Sequence, residues 1–132
     1  MTALYLDSSA FVKVLVDEPE SGALRGFLAG HPDERRVASA LLRAEALRAV
    51  RHLGSSALTA VRDGLRRVDL IGIDDRILDA AGMLEPRVLR TLDAIHLATA
   101  LTVGDDLVAI ITYDDRMTDA ARLLGLATLR PH

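Results

Sequence analysis

The strongest constraint on this chain is a junction that it writes three times: a short apolar run, an acidic residue at its end, and at once an amphipathic helix. Leu4-Tyr5-Leu6 runs into Asp7-Ser8-Ser9, after which Phe11, Val12, Leu15 and Val16 recur at helical spacing. Residues 68–73 end at Asp74-Asp75. Residues 107–112, the most apolar run in the chain, end at Tyr113-Asp114-Asp115 before a helix over 116–124. Strands that alternate with helices and lack strict polar alternation belong to a parallel sheet covered on both faces. The expectation is an α/β fold with a short parallel sheet of about five strands. The carboxyl ends of parallel strands share one edge, and ligands bind outside that edge.

The other elements follow from stop and start signals. A second helix is expected over 21–28 and a strand over 36–38. Ser39 is placed to cap a helix over 40–53 that Gly54 ends. On that helix Leu41, Leu42, Ala46, Ala49 and Leu53 make the expected apolar face, with Glu45 inside it. A helix over 56–67, one after Asp75 that reaches Glu85-Pro86, and one over 92–102 capped by Thr91 complete the middle of the chain. Gly125 stops the last helix, and residues 126–129 form the last strand. No linker or low-complexity segment interrupts the 132 residues, so the chain is expected to be a single domain over 1–132.

Composition enters where it limits the chemistry. Half of the residues are apolar, enough to bury a core without covalent staples. There is no cysteine, which excludes disulfides and thiolate metal sites and makes a reducing cytoplasm the natural compartment. Asp7 and Lys13 interrupt the apolar start, so no signal peptide is expected, and no apolar run approaches the length of a membrane span. Lys13 is the only lysine, which leaves fifteen of the sixteen basic residues as arginine, many of them within 35–67. Arginine suits phosphate recognition. With two Tyr, two Phe and no Trp, base stacking cannot dominate a nucleic-acid contact.

A single Asp between strand and helix can be nothing more than a helix cap. The echo between Asp74-Asp75-Arg76 and Asp114-Asp115-Arg116 makes the same point, since at most one copy need be chemical. Glu45 could likewise pair with Arg48 on its own helix. The four together say more. Asp7, Glu45, Asp93 and Asp114 would gather near one sheet edge, and clustered carboxylates are tolerated when a divalent cation neutralises them. All-oxygen ligands select Mg²⁺ or Mn²⁺ over zinc, and such sites commonly act on phosphate esters. His96, one helical turn after Asp93, is expected to be packed behind the site rather than to ligate. His31, His52 and His132 are expected at the surface.

Leu4-Tyr5-Leu6-Asp7-Ser8-Ser9-Ala10, Leu42-Arg43-Ala44-Glu45, Leu92-Asp93-Ala94-Ile95-His96-Leu97-Ala98 and Thr112-Tyr113-Asp114 resemble, in order and spacing, the motifs of the PIN-domain ribonucleases, in particular the VapC toxins. The resemblance covers nearly the whole chain. It implies a three-layer α/β/α domain, an Mg²⁺- or Mn²⁺-dependent endoribonuclease, a homodimer, and neutralisation by a cognate VapB antitoxin. Residue by residue it assigns Asp7, Glu45, Asp93 and Asp114 to the acidic quartet that binds metal, with Ser8 and Thr112 as polar neighbours. It leaves open which of Asp114 and Asp115 faces the metal. Two other phosphoryl-transfer classes fit less well. A haloacid dehalogenase type would need a second Asp where Ser9 stands, and a receiver domain would need a late lysine. A PIN-like module that binds RNA or protein without turnover remains an alternative.

The first two helices suggest one more feature. Phe11, Val12, Leu15, Val16, Leu24, Phe27 and Leu28 look like more apolar surface than one sheet face can cover. The expectation is a groove that takes the antitoxin's carboxyl-terminal segment, with an antitoxin arginine or lysine reaching the carboxylates.

Overall fold

The computed structural model describes residues 1–132. Its five strands are β1 (Ala3–Leu6), β2 (Arg35–Ser39), β3 (Asp69–Ile71), β4 (Leu107–Ile111) and β5 (Thr128–Leu129). They form one parallel sheet in the order β3-β2-β1-β4-β5. The chain builds outward from β1 to β3, then returns to the other side of β1 for β4 and β5. The order therefore reverses between β1 and β4, and the crevice outside their carboxyl ends is where a parallel sheet makes room for a ligand. Asp7 follows β1, and Thr112 to Asp114 follow β4.

Both sheet faces are covered, which gives the three layers expected. On one face Leu4 and Leu6 of β1, with Ala38, Ala109 and Ile111, meet four helices: α1 (Ser8–Leu15), α2 (Ser21–Ala29), α3 (Leu41–Val50) and α4 (Ser55–Leu65). On the other, Ala3 and Tyr5 of β1, with Val37 and Ile110, meet α6 (Thr91–Leu101) and α7 (Asp115–Leu123). Helix α5 (Asp75–Met83) packs on α6 through Ile77, Ala81, Ala94, Ile95 and Ala98. The alternation of β1 residues between faces is the period-two geometry of a strand, here apolar both ways because neither face meets water. No helix is long and apolar enough to cross a membrane.

Several local expectations need correction. The helix expected over 40–53 ends its α-helical part at Val50 and continues as a 3₁₀ turn over Arg51–Leu53 before Gly54, whose φ of 98° needs a glycine. Its buried face is Leu42, Ala46 and Val50, while Ala49 and Leu53 are exposed, because packing turns the Leu42–Ala46–Val50 row to the core rather than the equally spaced Leu41–Glu45–Ala49 row. Ser39 accepts from the Leu41 amide, yet the residue in the cap position is Ala40. Thr91 is inside α6, and Arg90 takes the cap position without a side-chain bond to the helix backbone.

The expected apolar groove on α1 and α2 is mostly core. Phe11, Leu24 and Leu28 are buried against the sheet, and Val12, Leu15, Val16 and Phe27 pack beside them half-buried. Four helices share that face rather than two. Helix α4 covers the surface that the first two alone would leave open: an added methyl on its Gly64 would stand 2.8 Å from Leu15 Cδ1 and 3.2 Å from Phe11 Cζ.

Candidate active site

Asp7 is the deepest of the four carboxylates, 4% exposed at the end of β1. Its Oδ1 caps α1, accepting from the Ala10 amide at 3.0 Å and the Ser9 hydroxyl at 2.6 Å. Its Oδ2 accepts a short hydrogen bond from Thr112 Oγ1, reached across the β1–β4 crevice. Burial pushes the Asp7 carboxyl above its ordinary range, and the two hydroxyls and the amide pull it back without cancelling the rise. The cause is desolvation rather than repulsion from neighbouring carboxylates.

Glu45 reaches the same edge from α3, half-buried, and pairs across the site instead of with Arg48. Its Oε1 accepts from Ser8 Oγ at 2.7 Å and lies 2.6 Å from His96 Nε2. Behind His96 stands Tyr5, whose hydroxyl lies 2.7 Å from Nδ1 and accepts the Ser39 amide at 3.1 Å. Because an N–H already donates to that hydroxyl, its proton is free to go to Nδ1, which leaves the ring proton on Nε2 to donate to Glu45. Burial holds the Tyr5 phenol well above its ordinary range, so it remains an O–H donor. Burial pushes Glu45 up, but the hydrogen bonds from His96 and Ser8 outweigh it and hold its carboxyl below the usual range. Oε2 of Glu45 has no hydrogen-bond partner. The chain Ser39–Tyr5–His96–Glu45 fixes one carboxylate oxygen and leaves the other free.

Asp93 sits in the first turn of α6, where its charge suits the helix dipole, and Asp114 caps α7. Oδ1 of Asp114 accepts from the Arg116 and Met117 amides at 2.8 and 3.1 Å. Its own amide donates to Thr112 Oγ1, so Thr112 ties Asp114 to Asp7. Asp115 turns the other way and pairs with Arg130 at 2.8 Å. Between Asp93 and Asp114 lies Arg90, its Nε 2.9 Å from Asp93 Oδ2 and its Nη2 3.4 Å from Asp114 Oδ2. The Arg90 guanidinium is held above its ordinary range by its bond to Asp93, with Asp114 and Glu45 contributing charge. Asp74, the echo residue, caps α5 through the Ile77 amide and has no part in this network.

The four candidate carboxylates thus share one edge: Thr112 links Asp7 to Asp114, Arg90 links Asp93 to Asp114, and the Ser8–His96 clasp holds Glu45. In this conformation no three of them converge on one point at ligand distance. Their donor set is nonetheless hard oxygen throughout, and Arg90 shows that the gap between Asp93 and Asp114 draws a cation. The residues fit a divalent cation in kind. Arg90 and Tyr5 were not picked out by the sequence reading, though each carried a signal. A cation at a helix N-terminus opposes the dipole unless carboxylates compensate it, and a tyrosine in a buried strand must find a partner for its hydroxyl.

Comparison with known proteins bears on the family and the fold. The PIN-domain family model matches residues 4–123. Ribonuclease VapC46 of Mycobacterium tuberculosis is 57% identical over 132 residues, 99% of each chain. Ribonuclease VapC35 of the same organism is 42% identical over 130 residues, 97% of this chain and 96% of the relative. Among solved structures, Mycobacterium tuberculosis VapC20, described as a toxin that cleaves the sarcin-ricin loop, superposes with a TM-score of 0.77 at 17% identity, covering 98% of this chain and all of that one. VapBC2 from Rickettsia felis, solved on a DNA fragment from its promoter, gives 0.72 at 13% identity, with 99% and 100% covered. At those identities the structures speak for the fold alone. On the family match and the full-length identities, the chain belongs to the PIN-domain family and, within it, to the VapC ribonucleases.

Proposed function

We propose that this protein is the endoribonuclease toxin of a VapBC toxin–antitoxin pair, that it needs Mg²⁺ or Mn²⁺, and that Asp7, Glu45, Asp93 and Asp114 hold the ion. The observation that carries the reading is that four carboxylates line the sheet edge at the topological switch point, two of them bridged by a cation. A bound divalent cation would supply charge neutralisation at the scissile phosphate and a more acidic attacking water. The chain's own part is placement. The α1 cap and Thr112 hold Asp7 rigid, and the Ser8–His96 clasp leaves one Glu45 oxygen facing the edge. Asp114 is oriented by the helix that it caps. A dry Asp7 carboxyl is costly to ionise without a counter-ion, which supports a cation-binding role.

RNA is the substrate this reading requires. Arg43 and Arg48, exposed on the helix that carries Glu45 and free of ion pairs, are available to its phosphates. Arginine contacts of that kind make binding fall with salt. A homodimer is supported by exposed apolar side chains on α5 and α6, Leu78, Met83 and Leu101 among them, which are 45%, 83% and 40% exposed. A VapB-type antitoxin is the partner that membership of the VapC group suggests.

The test is RNA cleavage by purified protein stripped with chelator and then given excess Mg²⁺ or Mn²⁺, with Asp93→Asn as control. Activity should vanish, return with metal, and be absent from the variant. Full cleavage in the presence of chelator would refute the metal requirement. Absence of cleavage under every condition would favour a module that binds without turnover.

A further inference from the structure

We infer that Arg90 is an exchangeable residue of the active site: it neutralises Asp93 and Asp114 while no metal is bound, is displaced from them by the divalent cation, and then takes a phosphate of the RNA chain. The inference rests on the ribonuclease reading above and adds a residue to it.

Three features of Arg90 point to exchange rather than to a fixed ion pair. The first is competition for the same atoms. Oδ1 of Asp114 is committed to the α7 cap, so the oxygen that it can offer a metal is Oδ2, the one that Arg90 faces at 3.4 Å. Asp93 meets Arg90 through Oδ2 as well, at 2.9 Å. A metal drawing those oxygens to about 2.1 Å leaves no room for the guanidinium against the same lone pairs. The second is freedom to move. The Arg90 side chain is 59% exposed, against 14% for Asp93 and 33% for Asp114, no neighbour other than the two carboxylates bonds its guanidinium, and water reaches the cation's side of both pairs. The third is position. Arg90 stands where the carboxylate edge meets a hollow of about 460 Å³ whose wall includes Pro86, Val88, Arg116 and Leu123. That hollow is large enough for a nucleotide. A released Arg90 lies between hollow and metal, where a planar fork suits a phosphate.

Exchange makes opposite predictions for the two ligands, which a structural ion pair does not. Arg90→Gln should bind Mn²⁺ more tightly, by about 3- to 10-fold, because the competing cation is gone. It should bind RNA more weakly, with the slope of log affinity against log salt reduced by about one. Arg90→Lys keeps the charge and should recover most of the RNA affinity. The direct readout is the Arg90 Nε–H resonance of the wild-type protein, assigned by its absence from Arg90→Gln. It should shift on titration with Mg²⁺ and shift again when a mixed-sequence RNA oligonucleotide is added with Ca²⁺ in place of Mg²⁺. A resonance unmoved at saturating Mg²⁺, or RNA affinity in Arg90→Gln equal to wild type, overturns the role of Arg90 while leaving the ribonuclease reading standing. Wild-type protein that neither binds Mg²⁺ nor cleaves RNA overturns both.

Discussion

Replacing Tyr5 with phenylalanine removes one oxygen from the middle of the sheet and isolates two buried groups. The Ser39 amide loses its acceptor at 3.1 Å and His96 Nδ1 loses its donor at 2.7 Å. Neither can turn to water, since Tyr5, Ser39 and His96 are 1%, 0% and 2% exposed. A buried polar group left without a partner costs about 1–3 kcal/mol, so the pair should cost about 2–4 kcal/mol, the ring itself being retained. For a domain of this size each kcal/mol lowers Tm by about 3–5 °C, which gives a fall of roughly 6–20 °C. Urea unfolding should show a lower midpoint at unchanged slope, the mark of lost stability without a changed denatured state. Tyr113→Phe is the control. Its hydroxyl donates to the Pro131 carbonyl in a half-buried position, where water can substitute, and the loss should stay below about 1 kcal/mol. Should Tyr5→Phe cost no more than Tyr113→Phe, the hydroxyl does not hold the His96–Glu45 clasp, and the reasoning that orders the site from β1 outward fails.

Asp7→Asn should abolish cleavage yet stabilise the metal-free protein at pH 7. The raised Asp7 pKa makes its ionised form a cost to folding at every pH above the folded value. That gain should shrink as pH falls through the folded value and vanish below about 4, where the unfolded carboxyl is also protonated. A gain that persists at pH 3 by calorimetry would assign it to something other than the buried charge. Asp74→Asn, in the echo of the active-site junction, should leave cleavage unchanged and cost at most ~1 kcal/mol for its cap; equal necessity of Asp74 and Asp93 in the RNA assay would dismantle the site assignment. Gly64→Ala should destabilise by about 1 kcal/mol although alanine is the better helix former, because its methyl meets Leu15 and Phe11; a rise in Tm would show that Leu15 yields freely.

The class of fold and the strand-to-helix junctions that carry Asp7 and Asp114 could be read without coordinates because both are local patterns. Apolar runs ending in Asp, followed by helical spacing, mark the strand-to-helix junctions, and each junction is written within about ten consecutive residues. Burial was harder to read. Phe11, Leu24 and Leu28 look like surplus apolar surface as long as only the helices of residues 8–28 are counted against the sheet face. They become core once α3 and α4 join that face, and nothing within 8–28 announces it. The face of α3 moved for a related reason, since Leu42-Ala46-Val50 and Leu41-Glu45-Ala49 have the same spacing and only packing chooses between them.

The sequence alone determined the parallel α/β architecture and the place of Asp7, Asp93 and Asp114 at helix starts, since these depend on residue type and short-range spacing. Tertiary structure decided the rest. It turned Asp114 toward Arg90 and Asp115 toward Arg130, a choice the doubled aspartate leaves open because adjacent residues at a helix start point in different directions. It joined Tyr5 to His96 and His96 to Glu45 over sequence separations of 91 and 51 residues. It also placed Arg90, a residue at the wrong end of a helix for its charge, between two carboxylates that compensate it. Such contacts come from the reversal of strand order between β1 and β4, which brings residues far apart in the chain to one edge, and no periodicity within a segment encodes them.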